Sequence, residues 1–241
     1  SAIDIALWDL LGQRAGLPLF RLLGGASGKL ERYASLVRYG GNAEALQRNC
    51  QRAVSEGYRA IKLHEHTIDA FRVARAAVPQ DVRIMLDVNC CWTVDEAHDV
   101  ARQIRNDGFW WLEEPVWPPE DHAGMARVRA EGVPIAAGEN MGTPLDFQHA
   151  FERGAMDIAQ PSVIKVGGIS HLLQVFTIAA AHGVRVVPHS PYWGPGHLAS
   201  AHVSASRAEA PLIETTYVKL AAIPHPMYDP RSAAFTLPDL P

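Results

Sequence analysis

Residues 83–113 read RIMLDVNCCWTVDEAHDVARQIRNDGFWWLE, with a short apolar run at each end and an amphipathic stretch between them. A third apolar run, PIAAG, follows at 134–138. An acid closes each run: Asp87, Glu113 and Glu139 are evenly spaced, 26 residues apart. Strands that alternate with helices at a constant period predict parallel β-α-β units.

The same alternation extends along the whole chain. Strand-like runs are predicted at 33–39, 60–64, 83–88, 110–113, 134–138, 156–159, 185–188 and 212–215, with amphipathic stretches such as 43–56, 94–106 and 169–181 between them. Glycines including Gly57 and Gly183 follow the helical stretches, where left-handed C-caps are common. Eight strands predict an α/β fold, a (β/α)8 TIM-type barrel of (β/α)7β-like order. The alternative is a doubly wound sheet, but no Gly-rich phosphate turn follows an early strand.

The two ends of the chain do not fit a barrel. An apolar helix is predicted over 1–23, and a Pro-rich segment ends the chain. We interpret residues 1–28 as the end of an N-terminal domain whose remainder is absent, and residues 29–220 as the catalytic barrel. Residues 221–241 are interpreted as a C-terminal tail that packs toward that N-terminal domain.

Composition excludes several classes of protein. The 241 residues carry a formal charge of −4 and are 48% hydrophobic and 20% charged, which is ordinary for a globular protein. No basic block suggests a nucleic-acid or anionic-membrane partner, and the apolar runs are far shorter than the roughly 18 residues that span a bilayer. Three cysteines, two of them adjacent, do not form a disulfide framework, so a reducing, cytoplasmic location is expected.

The three evenly spaced acids would lie side by side at the carboxyl ends of successive strands, where barrel enzymes hold their active sites. Carboxylates this close repel one another unless a cation joins them. Octahedral Mg2+, with oxygen ligands and positions open to substrate, meets this need. Asp87, Glu113 and Glu139 are therefore predicted metal ligands. The alternative is that each acid caps the following helix.

Basic residues occur at other strand ends. Lys62 and His64 are one residue apart, so they point to the same face of strand two. If that face is the barrel interior, both reach the metal site, and both residue types act as general bases near neutral pH; otherwise they form a solvated strand end. His66 is predicted to lie in a loop. His189 ends strand seven at the same mouth, and Glu214 ends strand eight, either facing the site or capping a helix.

The order of these motifs resembles the enolase superfamily, and within it the mandelate racemase/muconate lactonizing enzyme branch. The motifs are Lys-x-His at 62–64, Asp-x-Asn at 87–89, Glu-Glu-Pro at 113–115, Gly-Glu-Asn at 138–140, Lys-x-Gly-Gly at 165–168 and the strand-seven His. The resemblance covers nearly the whole chain. It implies removal of the proton α to a carboxylate, giving an enediolate held by Mg2+. Its implied site comprises metal ligands Asp87, Glu113 and Glu139, catalytic Lys62, His64 and His189, and substrate-binding Asn89, Asn140 and Glu214.

Two positions depart from the family pattern. The second Lys of the family's Lys-x-Lys motif is His64 here, so the base on that face is expected to be an imidazole. The Asp that orients the strand-seven His in the family falls at Ser162. Lys165, three residues further on, has the opposite strand parity and is expected to be structural or peripheral. These departures leave the substrate and the division of acid and base roles open.

Four functions follow as hypotheses. The first is a Mg2+-dependent dehydratase of an acid sugar or related hydroxy carboxylate, with His64 or Lys62 as base and His189 as acid. The second is a racemase or epimerase of a carboxylate. The third is a metal-dependent hydrolase, suggested by His-x-His at 64–66, and the fourth is an inactive or truncated barrel, suggested by Ser162. The expected partners are a small-molecule carboxylate and further copies of the chain in a homo-oligomer.

Overall fold

The computed structural model describes residues 1–207, 212–218 and 233–240. Its strands are β1 (Lys29–Ser35), β2 (Ala60–Leu63), β3 (Arg83–Asp87), β4 (Trp111–Glu113), β5 (Ile135–Ala137), β6 (Ile158–Ala159), β7 (Arg185–Val186), β8 (Leu212–Thr216) and β9 (Ala234–Thr236). Its helices are α1 (Ala2–Ala15), α2 (Leu19–Leu22), α3 (Ala43–Ser55), α4 (Ile68–Ala77), α5 (Val94–Ile104), α6 (His122–Arg129), α7 (Pro144–Glu152), α8 (Ile169–Ala181) and α9 (Pro195–Ala205). One helix follows each strand from β1 to β7, which is the predicted (β/α)7β order.

The eight main strands form one curled parallel sheet in the order β7-β6-β5-β4-β3-β2-β1-β8. Asp87 lies opposite Glu113 in this register, so the acids at the ends of β3 and β4 are level. In the described part of the chain, no backbone ladder joins β7 to β8. The Ser190 amide instead donates to Glu214 Oε2 at 3.3 Å, and the Glu214 amide donates to Ser190 Oγ at 3.2 Å. The predicted TIM-type architecture is confirmed by this strand order and direction.

A layer of apolar side chains fills the barrel interior below the carboxyl ends of the strands. Each of the eight strands, or the residue just after it, contributes one member: Tyr33, Ala60, Met85, Trp111, Ala136, Ile158, Val187 and Leu212. Side chains alternate along a strand, so residues two positions further on enter the same interior one layer nearer the mouth. These next residues include Lys62, Asp87, Glu113 and Glu214, all buried.

Local signals set the helix ends. Capping boxes begin α5 at Thr93 and α7 at Thr143. The glycines predicted to follow helices have positive φ, for example 64° at Gly154 and 67° at Gly183, where a side chain would be strained. None of the described helices is both long and apolar enough to cross a membrane.

Two predictions near the chain ends need correction, and one strand was not predicted. The single helix expected over 1–23 is wrong, because Gly16 turns left-handed at φ 65° and Pro18 begins the separate helix α2. The first strand begins earlier than the predicted 33–39, since Leu30 already pairs with Phe235 of the antiparallel strand β9. β9 itself was not foreseen within the Pro-rich tail. Of that tail, residues 221–232 and 241 lie outside the described part of the chain.

Candidate active site

A single lysine lies among three acids at the carboxyl end of the barrel. Lys62 Nζ is 2.6 Å from Glu113 Oε1, 2.7 Å from Glu214 Oε1 and 3.2 Å from Asp87 Oδ2, and all four side chains are fully buried. The face of β2 that carries Lys62 is therefore the barrel interior. Glu214 points into the same interior, so its alternative interpretation as a helix cap is wrong.

These contacts determine the charge states of the cluster. Burial disfavours the Lys62 ammonium, but the three carboxylates outweigh burial and raise the pKa of Lys62 well above its usual value. Burial also opposes ionisation of Asp87 and Glu214, yet Lys62 lowers the pKa of Glu214 to about 2 and holds the pKa of Asp87 well below its usual range. For Glu113, burial and repulsion from Asp87 and Glu214 prevail over Lys62 and raise the pKa well above normal. One lysine thus leaves part of the carboxylate charge uncompensated.

His64 lies just beyond β2 and connects two strand ends. Its Nδ1 is 2.5 Å from the Leu36 carbonyl oxygen, and its Nε2 is 3.2 Å from Asp87 Oδ2. A carbonyl oxygen only accepts hydrogen bonds, so Nδ1 carries a proton and Nε2 is the nitrogen available for proton exchange. Burial lowers the pKa of His64, but the nearby Asp87 carboxylate and the Leu36 carbonyl together outweigh burial, and the net shift is upward.

A second imidazole lies against the acid that follows β5. His189 Nδ1 is 2.9 Å from Glu139 Oε2 and 3.6 Å from Glu214 Oε2. Burial raises the pKa of Glu139, but the His189 contact prevails and the net shift is downward. Donor atoms of Glu113, Glu139 and His189 all lie within 4.8 Å of one another, close enough to share one metal ion.

Asn89 and Asn140 occupy the rim of this cluster. The Asn89 backbone amide donates to Asp87 Oδ1 at 2.9 Å, and this residue adopts a positive φ of 48°. Asn140 is exposed, with Oδ1 accepting from Lys165 Nζ at 3.5 Å. The predicted substrate-binding residues therefore lie beside the predicted metal ligands, although Asn89 contacts its acid through the main chain.

Two further residues lie at the site, and the first of them was missed from the sequence. Trp111 Nε1 donates to Glu113 Oε2 at 2.9 Å, and strand parity could have found it because the two residues are two positions apart on β4. Lys165 was expected to be structural or peripheral; it is exposed, and its Nζ lies 4.0 Å from Glu139 Oε1 at the edge of the site. Parity did not apply to Lys165, because β6 ends at Ala159 and the chain has already turned.

The donor chemistry fits a hard divalent cation. Asp87 Oδ2 and Glu214 Oε1 are buried and have no well-aligned hydrogen bond, although Lys62 lies nearby. Glu113 and Glu139 bring the carboxylates in this part of the barrel to four, and Lys62 contacts three of them. Oxygen-rich, electron-rich sites of this kind suit Mg2+ rather than softer metals.

Comparison with known proteins identifies the family. Residues 45–241 match the enolase C-terminal domain-like family, and residues 1–24 match the N-terminal domain of mandelate racemase/muconate lactonizing enzymes. The chain belongs to the mandelate racemase/muconate lactonizing enzyme branch of the enolase superfamily. This confirms the resemblance read from the motifs.

Relatives of this superfamily member include enzymes of sugar-acid metabolism. The chain is 36% identical to a D-galactarolactone cycloisomerase of Agrobacterium fabrum, over 81% of this chain and 54% of the relative. It is 31% identical to an arabinonate dehydratase of Saccharolobus solfataricus, over 89% of this chain and 59% of the relative. A solved racemase from Streptomyces coelicolor A3(2), with bound magnesium, superposes with a TM-score of 0.85 at 30% identity, covering 100% of this chain and 69% of that one. The chain thus spans just over half the length of these curated relatives.

Proposed function

We propose that the protein uses Mg2+ to remove the proton α to a carboxylate, and that it dehydrates an acid sugar or a related hydroxy carboxylate. The proposal rests on two imidazoles, which lie against the first and the last of the three evenly spaced strand-end acids. His64 lies against Asp87, and His189 lies against Glu139. Two proton carriers on either side of a carboxylate-rich centre suit a reaction that takes one proton and returns another. The sugar-acid names of the relatives support the substrate class.

The proposed metal ligands are Asp87, Glu113 and Glu139. Donor atoms of Glu113 and Glu139 lie within 4.8 Å of one another and of His189, which would serve as a further donor, whereas Asp87 is not part of that group. When bound, Mg2+ would stabilise negative charge that develops on the substrate carboxylate. Lys62 would act on the same charge, because its ammonium is buried and its pKa is raised. Because this cation is already fixed in a site that excludes water, it can stabilise the developing charge without any rearrangement of side chains or solvent during the reaction.

The two histidines divide the proton transfers. Neutral His64 takes the α-proton at Nε2, and the electron pair of the broken C–H bond moves toward the substrate carboxylate. The pair then returns to form a double bond between Cα and Cβ as the C–O bond breaks, and His189 gives a proton to the departing β-hydroxyl, so that water leaves. Asn89, Asn140 and Glu214 are proposed to contact the substrate, Glu214 from within the barrel.

Isotope exchange tests these roles. In D2O, His64→Ala is expected to reduce exchange of the substrate α-proton by at least about 100-fold, since general bases contribute this much or more. His189→Ala is expected to retain exchange but to lose product formation. The measurement is NMR of the recovered acid, with the exposed His149→Ala variant as control. Loss of exchange in His189→Ala, with exchange intact in His64→Ala, would reverse the two roles.

A racemase or epimerase is the second candidate, supported by the solved racemase among the structural relatives. With imidazoles beside Asp87 and Glu139, one histidine could remove the α-proton from one face of the substrate and the other could return a proton to the opposite face. Exchange of the α-proton with inversion and without loss of water would establish this activity instead of dehydration. The family match favours dehydration and racemisation or epimerisation over the hydrolase hypothesis.

Magnesium is expected to stabilise the folded protein. At a Mg2+ concentration of 100 times Kd, binding only to the folded state adds about 2.7 kcal/mol, which corresponds to a rise in Tm of roughly 5–10 °C at this chain length. Thermal unfolding with Mg2+ and with EDTA measures the difference. No shift at saturating Mg2+ would contradict the metal site, and a larger effect of Zn2+ on both stability and activity would favour a hydrolase.

Three broader features belong to the same proposal. The protein is proposed to function in the cytoplasm and to form a homo-oligomer. Residues 1–28 are proposed to belong with an N-terminal capping domain, which the match of residues 1–24 to such a domain supports. The boundary at 220 between barrel and tail stays a prediction.

A further inference from the structure

Position 162 holds a buried serine beside the strand-seven histidine. Ser162 is fully buried and pairs with His189 through an isolated parallel β-bridge. The family resemblance leads one to expect an acid here that would orient the histidine. Ser162 has no charge, so the orientation of His189 depends on other groups.

Tyr192 occupies the space between these two residues. Its phenol oxygen is hydrogen-bonded to Ser162 Oγ, and its ring meets the His189 ring edge-on with centroids 5.4 Å apart and planes at 70°. The Tyr192 backbone amide donates to the Ser190 carbonyl at 2.7 Å, which anchors the base of the side chain. Tyr192 is therefore held at both ends, by the main chain and by Ser162.

The absence of a side chain at Gly196 contributes to this packing. A Cβ at that position would lie 2.5 Å from Ile164 Cγ2 and 3.5 Å from Tyr192 Cδ2. The first of these distances is below any ordinary contact between carbon atoms, so a side chain at position 196 would displace Ile164 next to Tyr192.

Tyr192 fits this position electrostatically. Burial raises the pKa of the Tyr192 phenol, so it stays neutral near pH 7. An aspartate at 162 would add a further negative charge beside His189, which already lies against Glu139 and Glu214. A serine–phenol pair can fix the imidazole without that charge.

We propose that Tyr192, anchored by Ser162, is the positioning residue of His189. His189 Nδ1 lies 2.9 Å from Glu139 Oε2, and the Tyr192 ring limits the rotation of the imidazole, so that Nε2 keeps one direction. Proton transfer depends steeply on such alignment. This inference rests on the proposed role of His189 as the acid.

Kinetics of a double-mutant cycle test the pair in the protein expressed from its complete reading frame, loaded with Mg2+. Tyr192→Phe and Ser162→Ala are each expected to lower kcat about tenfold, with KM changed less than twofold and α-proton exchange by His64 retained. The double variant should be no worse than either single variant, because one hydrogen bond is lost in all three. Ser162→Thr keeps a hydroxyl at this position, so its kcat should lie close to that of the wild type. Ser206→Ala, at the end of α9, serves as control.

Two kinetic outcomes would overturn the proposal. A raised KM with unchanged kcat in Tyr192→Phe would mean that the phenol contacts substrate instead. Multiplicative losses in the double variant would mean that the two hydroxyls act separately.

A spectroscopic readout separates this inference from the proposed function. The imidazole nitrogen signals of His189, assigned by their loss in His189→Asn, should shift or broaden in Tyr192→Phe and Ser162→Ala but not in Ser206→Ala. Unchanged signals in the first two variants would refute the positioning role even if the enzyme is a dehydratase. Changed signals in a protein that exchanges no α-proton would instead leave the positioning role intact and refute the proposed function.

Discussion

Replacing Lys62 with methionine is expected to lower the free energy of unfolding of the metal-free protein by about 3–5 kcal/mol, the usual cost of removing one partner from a buried ion pair. Methionine keeps much of the length and volume but leaves Asp87, Glu113 and Glu214 without their cation. Equilibrium unfolding in urea at neutral pH, with EDTA present, measures the loss.

The exposed Lys29 of β1 provides the matched control. Lys29→Met should change the unfolding free energy by no more than about 0.5 kcal/mol, as for most surface substitutions. Mg2+ should restore part of the stability of Lys62→Met, because a divalent cation can replace the missing charge. A loss no larger than that of Lys29→Met would show that the acids do not depend on Lys62.

Glu139→Gln is expected to weaken Mg2+ binding by at least about 100-fold, because even supporting groups around a metal contribute 10–100-fold. Glutamine keeps the shape of the side chain but removes one negative charge, and affinity for hard cations follows the ligand charge. The amide oxygen can still accept from His189 Nδ1, so the unfolding free energy without metal should change by less than about 1 kcal/mol. Calorimetric titration with Mg2+ measures the affinity.

Glu152→Gln, at the exposed end of α7, is the control for this experiment. It removes the same charge far from the strand ends and should leave Mg2+ affinity unchanged. Wild-type affinity in Glu139→Gln would remove Glu139 from the ligand set and leave Asp87, Glu113 and His189 as the donors to test.

Strand periodicity made most of the site predictable. Lys62 and His64 could be assigned to one face of β2, because side chains alternate between the two faces along a strand, but only the structure shows that this face is the interior. The even spacing of the acids placed them on neighbouring parallel strands, since each β-α unit has similar length. Both inferences use local geometry, which a single sequence contains.

Contacts made beyond the strand ends could not be predicted in the same way. Lys165 and Tyr192 lie in connecting segments, where side-chain direction depends on turns rather than on alternation. The antiparallel pairing of Leu30 with Phe235 joins residues from opposite ends of the chain, and no periodicity encodes such a contact. The shared attachment of three acids to Lys62 likewise became visible only in three dimensions.

The apolar layer formed by one residue from each strand has a kinetic consequence. Tyr33, Met85 and Trp111 belong to this layer and are fully buried directly below the acids. If Mg2+ and an organic acid bind here as proposed, both must enter through the mouth of the barrel, because this layer closes the other side. An organic acid bound first would then obstruct the route of the ion, so loading is expected in a fixed order, metal before substrate. Excess substrate should accordingly slow both the escape and the uptake of Mg2+.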